Sequence, residues 1–379
     1  MSILLLIIGL FLFICLVIVH EFGHFIAARR NGVDVEEFGI FFPPRIWSHR
    51  MKSGFDFSIN ALPLGGFVRL KGEHDADVGK GTFGEASLWA KTKIMAAGVT
   101  MNLLAAFVIF TILAFVGMPV LISNQFTINS DTKTVKPIGL IERVASGSPA
   151  AKAGLVNNDV LTAIGPAKGN QTIINSSTYL PDVTQSLAGK EVKITYTEPS
   201  GKIVNSYVQL NSASVVKSTQ NSKNPKSYLG ISTSIVVQKS TWSAPIVALG
   251  LMKQITVLTF QGLWHAVSSL FKGQPSQASS QITGPIGVYV LLKNGSSLGY
   301  EFMLFIIAVI SLSLAIINIL PIPALDGGRL FFTYIPRLIK KVPLNPQTEE
   351  WIHGTGLVVL FGLFIVISIV DIRRYFHIL

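Results

Sequence analysis

Four stretches without a single charge set the terms for this chain: Ile3–Val19, Ile94–Ser130, Phe302–Leu325 and Gly354–Val370. A helix of roughly 20 apolar residues, at about 1.5 Å per residue, matches the ~30 Å hydrocarbon core of a bilayer. The apolar part of the second stretch, Ile94–Ile122, can cross once. The expected fold is a polytopic α-helical membrane protein with four transmembrane helices. Composition agrees, because 13% of the residues are charged against about 25% in soluble domains. The 24 Phe and long Leu/Ile/Val runs also exclude a disordered chain. A net charge of +11 in so apolar a chain points to the cytosolic face of a bilayer, with no nucleic-acid partner. The one cysteine, Cys15, lies inside the first run, so no intramolecular disulfide can form. That run has no charged leader and no small-residue cleavage site, so it is expected to be a retained helix rather than a signal peptide.

A fifth apolar segment, Trp242–Phe271, is interrupted by Lys253, Gln254, Thr256, Thr259, Gln261, His265 and Ser268. Such interruptions suit a helix lying along the interface, which is the reading adopted. Residues 123–239 differ in kind, with strand-like runs such as Val192–Tyr196 and Ile203–Leu210, and are expected to form a soluble β-rich domain. Gly273–Thr283 reads as a loop. Between the first two spans, Phe55–Ala61 alternates apolar and polar residues, Leu62–Gly66 breaks the pattern and Phe67–Leu70 resumes it, which is a hairpin signal with Pro63 marking an edge. Ten Lys/Arg lie between Arg29 and Lys93 and four between Arg329 and Lys341. By the positive-inside rule both loops are cytosolic, and the soluble domain and both termini lie outside.

His20-Glu21-Phe22-Gly23-His24 is an H-E-x-x-H pattern. Residues four apart share a helix face, so both imidazoles can reach one zinc ion, with Glu21 beside it as general base. Composition alone would produce the pattern in roughly four of a thousand such chains, so its context matters. Here it continues a transmembrane helix, where ionisable residues mark function. Two histidines and a glutamate at a wet helix end are the bland alternative. A third protein ligand is needed, and His353, Glu301, His265 and Asp326 have suitable depth. Asp326 stands out because Pro321 and Pro323 break the third span just before it, and irregular backbone at membrane depth must line protein or water. Its bland role would be an N-cap for the next helix.

HEFGH together with Asn318–Gly328 (NILPIPALDGG) resembles the site-2 protease family of intramembrane zinc metalloproteases, whose bacterial members are similar to this chain from end to end. Asn60–Leu70 (NALPLGGFVRL) resembles the family's membrane-re-entrant β-loop. Ala97–Asn102 resembles its A-G-P-x-x-N segment, with Val99 where the family usually has Pro, and Gln281–Gly287 resembles the segment ahead of the third span. The resemblance implies one Zn²⁺ per chain held by His20, His24 and Asp326, with Glu21 as catalytic base. It implies substrate contacts from Asn318, shaped by Pro321 and Pro323, and from the β-loop at Gly65 and Gly66. Asn102 is a weaker carry-over. The implied substrates are transmembrane proteins, single-span and pre-trimmed, such as anti-sigma factors or remnant signal peptides. The implied setting is a bacterial cytoplasmic membrane.

Ile138–Ile141, Ser148–Leu155 and Asn158–Leu161 look like a bacterial PDZ domain, with Tyr228, Leu229, Gly230 and Ile231 resembling its carboxylate-binding loop. Its groove would bind extended C-termini, or stay unused in a domain acting as a steric filter. The expected divisions are 1–30 (first span), 31–93 (re-entrant β-loop region), 94–122 (second span), 123–239 (PDZ domain), 240–300 (interfacial helix and loop), 301–326 (third span), 327–350 (cytosolic loop) and 351–379 (fourth span and tail). The competing functions are a catalytically silent, membrane-anchored PDZ scaffold or sensor, and a zinc carrier. The carrier is disfavoured because two histidines and one carboxylate leave an open, hydrolytic position.

Overall fold

A computed structural model describes residues 2–122, 124–174, 180–219, 225–233, 236–274, 283–296, 298–340 and 342–376. Most of the loop expected at Gly273–Thr283, including Gln281 and Ile282, lies outside these residues. The chain forms two compact units, one of Met1–Leu113 with Pro245–Leu379 and one of Ala114–Ala244.

The first unit opens with α1 (Ser2–Arg30), β1 (Val35–Arg50), β2 (Asp56–Leu70) and α2 (Leu88–Val116). The second holds β3 (Met118–Pro119), β4 (Lys133–Lys136), β5 (Ile141–Val144), α3 (Pro149–Lys152), β6 (Val160–Pro166) and β7 (Thr172–Ile173). It continues through α4 (Leu180–Ser186), β8 (Glu191–Thr197), β9 (Ile203–Gln209), α5 (Ala213–Thr219), β10 (Ile231–Thr233) and β11 (Val237–Lys239). The first unit then resumes with α6 (Ala244–Phe271), α7 (Pro285–Gly295), α8 (Tyr300–Asn318), α9 (Asp326–Lys340) and α10 (Pro346–Phe376). Among the described residues, five helices are long and apolar enough to cross a bilayer: α1, α2, α6, α8 and α10, with α6 the least hydropathic. The protein is a polytopic membrane protein with a β-rich insertion.

The uncharged Ile/Leu/Val runs leave these helices nothing but backbone to bond in lipid, so they propagate until a local signal stops them. For α1 the stop is Gly32, whose φ of 77° is the left-handed value that closes a helix. For α8 it is Pro321 and Pro323, which end the helix at Asn318, eight residues before Asp326. The third uncharged stretch is therefore a helix followed by an irregular return. Residues 327–350, expected as a loop, mostly form α9, which begins at Asp326 itself. The return packs tightly on α9, since a methyl at Gly327 or Gly328 would overlap the carbonyls of Ile319 or Ile322.

The region between α1 and α2 is more elaborate than one hairpin. Residues 35–40 of β1 pair with 66–70 of β2 on one side and align with 56–59 on the other, while 45–50 pair back onto 56–60. Each ribbon is thus bent into two segments, β1 around Phe41–Pro44 and β2 around Pro63–Gly65, where prolines cannot donate to the ladder. Segment 66–70 pairs on one side only among the described residues. The central segment carries Glu37, 3% exposed, which is held by Arg45 at 2.7 Å and Arg69 at 3.2 Å.

A second buried ion cluster ties the segment after β2 to two helices. Asp75 meets Lys91 Nζ of α2 at 2.5 Å and Arg337 Nε of α9 at 2.7 Å, and its own N–H donates to Glu349 of α10. Burial pushes the Asp75 carboxyl up, but hydrogen bonds from Arg337 and Lys91 outweigh it and hold the group below the usual carboxylate range. Its stabilising contribution is therefore present above the unfolded value of about 4 and is lost as pH falls through the lower folded value. Asp75→Ala strands the fully buried Lys91. It should cost about 3–5 kcal/mol, the usual penalty for breaking a buried pair, read as a lower thermal midpoint in detergent. Asp75→Ala at native stability would exclude a structural role for the cluster.

In the second unit a sheet ordered β7-β6-β8-β9 packs its inward positions into one core. Val192, Ile194 and Tyr196 alternate inward along β8 as the period-two pattern requires. Ser148 caps α3 by accepting from Ala151 N–H, with Pro149 in the first helical turn. Strands β3, β11 and β4 form a small sheet that brings the two ends of the unit together, and Ser240 N–H donates to Ala114 O. Asp131 fastens the same junction, accepting from the Thr241 and Ser243 backbone amides and from both hydroxyls. Asp131→Ala should speed amide exchange at Thr241 and Ser243 while leaving β8 protected. Unchanged exchange there would mean that the carboxylate is not the fastener.

Candidate metal centre

His20 and His24 lie on one face of α1, and α2 supplies the wall they lean on. His24 Nδ1–H donates to Ile94 O at 2.7 Å, which leaves its Nε2 lone pair facing inward. His20 Nδ1 lies 3.2 Å from Asn102 Nδ2. A methyl at Gly98 would overlap His24 Nε2 and stand 2.6 Å from His20 Nε2, so only glycine lets α2 approach both rings. From the other side the irregular return after α8 delivers Asp326, whose Oδ2 is 3.1 Å from His20 Nε2 and 3.3 Å from His24 Nε2. The two Nε2 atoms are 3.2 Å apart.

These three distances test whether a cation fits. A tetrahedral zinc with bonds of about 2.0–2.2 Å separates its ligand atoms by roughly 3.3 Å or slightly more. The observed edges of 3.1–3.3 Å match that triangle within a few tenths of an ångström. Asp326 Oδ2 is buried with no hydrogen-bond donor satisfying it, as expected of an oxygen placed for a metal. Among the described residues, this is the group of His, Cys, Asp or Glu side chains whose ligand atoms lie close enough together that it could hold a metal ion. Glu21, His24 and Asp326 line a cavity of about 410 Å³ that strand segment 66–70 also lines, so water can reach the cluster.

Residues 8–363 match the pattern of peptidase family M50. The chain belongs to that family, the site-2 proteases. Full-length similarity supports this M50 assignment. The chain is 28% identical to a Fusobacterium nucleatum protein whose name assigns it as a zinc metalloprotease, covering 96% of both chains. It is 29% identical to a Nostoc protein of the same designation, covering 92% of this chain and 90% of the other. It is 26% identical to the Enterococcus faecalis protein named as the protease Eep, covering 95% and 97%. This M50 chain is thus a membrane metalloprotease of the site-2 type.

The remaining expected site residues are placed less uniformly. Gly66 lines the cavity, and a methyl there would stand 3.2 Å from Glu21 Cγ and from Gly39 O. Gly65 instead packs against the Phe42 ring. Asn318 is the last residue of α8, and Pro321 and Pro323 lie in the return, but none of the three lines the cavity. In the second unit Leu229 is buried in the core, Gly230 has φ 84° and Ile231 begins β10. Of the other candidate ligands, His353 sits on α10 and its Nδ1 accepts from Ala324 N–H at 3.2 Å. It holds the return leading to Asp326, at a residue whose φ of 74° is left-handed. Gly98 and Ile94 O were not singled out as site residues in the sequence, and His353 was weighed there only as a ligand, because these roles depend on contacts between helices.

Proposed function

We propose that this M50 protease hydrolyses peptide bonds within transmembrane segments of other membrane proteins. The observation carrying this reading is the convergence of His20, His24 and Asp326 beside Glu21, on helices apolar enough to lie in the bilayer. His20, His24 and Asp326 would hold one zinc ion, which supplies Lewis acidity toward water and the scissile carbonyl when bound. Glu21 takes the proton from the attacking water and passes it to the leaving amide nitrogen. The free edge of segment 66–70 gives an unwound substrate a strand to pair with, beside Glu21. A substrate helix must unwind first, because its carbonyls are otherwise bonded within the helix. Asn318, with Pro321 and Pro323, is assigned the substrate backbone near the return.

We read α6 as interfacial, giving four crossings. A methyl at Gly9 would meet Met303 Sδ at 2.5 Å, so early α1 lies against early α8. The metal cluster lies toward the C-terminal ends of both. The two helices therefore run the same way. One return by α2 restores the starting side, and a crossing by α6 would bring α8 in from the wrong one. Helix α7, 11 residues long, reaches only about 16 Å and cannot correct this across a ~30 Å core. The charge bias then puts the active site toward the cytosol of a bacterial membrane, with residues 123–239 outside as a PDZ domain. Its β10 edge, paired only with β5 among the described residues, is the strand a peptide C-terminus would extend.

Reconstituted protein given a single-span substrate should yield product ends that map inside the substrate's transmembrane segment. Cleavage confined to soluble regions would overturn the reading. In a Cys15→Ala background, an impermeant thiol reagent applied outside cells should label Lys202→Cys and spare Ser53→Cys. The reverse pattern would invert the topology.

A further inference from the structure

Asn102 is fully buried on α2, and its backbone carbonyl accepts from Ser311 Oγ of α8 at 2.8 Å, which fixes its height against the site. Its side-chain Nδ2 faces His20 Nδ1 at 3.2 Å, while its Oδ1 is buried with no hydrogen-bond partner. In this orientation the amide donates, which matches a His20 that carries its proton on Nε2, between His24 and Asp326. That tautomer suits a site without a cation, because the Nε2–H can donate to the His24 Nε2 lone pair at 3.2 Å. A cation requires the opposite arrangement, with the Nε2 lone pair inward and a proton on Nδ1 that needs an acceptor. Rotating the Asn102 amide by half a turn presents Oδ1 to that proton, and amide orientation is the freedom such a side chain has. The equivalent proton on His24 already has Ile94 O.

We propose that Asn102 is the positioning residue that sets the His20 tautomer, accepting Nδ1–H when the metal is held and donating when it is not. This rests on the zinc reading above. Because asparagine serves both states, it lets the site load without leaving a buried imidazole nitrogen unpaired. Leucine, similar in size, serves neither state, and aspartate can only accept.

The test is zinc affinity of the full-length protein in detergent, measured by competition with a chelator of known strength, with the thermal midpoint of the zinc-free form alongside. Asn102→Leu should weaken binding about 10–100-fold, the usual effect of removing a partner of a ligand histidine. Asn102→Asp should bind at least as tightly as the native chain, because a carboxylate also accepts Nδ1–H. Asn102→Ser, too short to reach the ring, should weaken binding like leucine and carries the comparison if the leucine variant does not fold. Native affinity in the leucine or serine variant, or equal weakening by aspartate, overturns the proposal. A native chain that binds no zinc would instead overturn the metal reading, so the two failures are distinguishable.

Discussion

Glu21→Gln should leave bound zinc at the native level and lower cleavage of a single-span substrate by about 10²–10⁴-fold, the range for loss of a general base. The separation of roles is geometric. Glu21 shares the cavity with His24 and Asp326 but is not among the three residues whose ligand atoms converge. Glutamine keeps the shape and the hydrogen-bonding reach while giving up proton affinity. His20→Ala, His24→Ala and Asp326→Ala should do the converse, losing zinc first and cleavage with it. Zinc content and product formation measured on the same preparations distinguish the classes. Full cleavage by the Glu21→Gln protein would sink the assignment of Glu21 as base, and zinc loss in that variant would make it a ligand instead.

What could be read from the chain follows from the range of each signal. The H-E-x-x-H spacing is local, so placing His20 and His24 on one face needed only the helix repeat. The uncharged stretches are equally local, and α1, α2, α8 and α10 lie over their apolar parts, although α2 stops at Val116, short of the expected 122, and α8 at Asn318. Asp326 was readable for a different reason: Pro321 and Pro323 announce irregular backbone at membrane depth, and such backbone is costly unless something uses it. Because α9 starts at Asp326, its carboxylate stands in the first turn of the helix rather than at the N-cap of the bland reading, and it points at two imidazoles.

The parts that stayed hidden depend on contacts between residues far apart in the chain. Residues 35–50 contain Pro43 and Pro44 and lack clean alternation, so nothing in them announces a ribbon that pairs on two sides. Hairpin signals report neighbours in sequence, and here the pairing of 35–40 with 66–70 spans the whole loop. The Asp75 cluster joins residues 16 and 262 positions apart, which no motif encodes. The glycine of Ala97–Asn102 was visible as a letter in a resemblance, but its purpose was not.

That purpose leads to the second large effect expected. Gly98→Ala should lower zinc affinity and cut cleavage by about 10²-fold or more, although residue 98 ligates nothing and bonds nothing in the mechanism. The added methyl would overlap His24 Nε2 and lie 2.6 Å from both Cε1 and Nε2 of His20, so both ligand rings must move or α2 must retreat. Neither adjustment is free. His24 is tied to Ile94 O on the same helix as Gly98, so a retreat of α2 carries away the acceptor that orients the ring. A displacement of about 1 Å at a catalytic site commonly costs 10²-fold. Alanine is otherwise the better helix former by about 1 kcal/mol, so loss of helical propensity cannot explain a defect. Gly362→Ala in α10 is the matched control, because a methyl there meets nothing within 4 Å, and it should leave zinc and activity unchanged. If Gly98→Ala keeps native zinc affinity and turnover, α2 is not the wall that holds the two imidazoles in place.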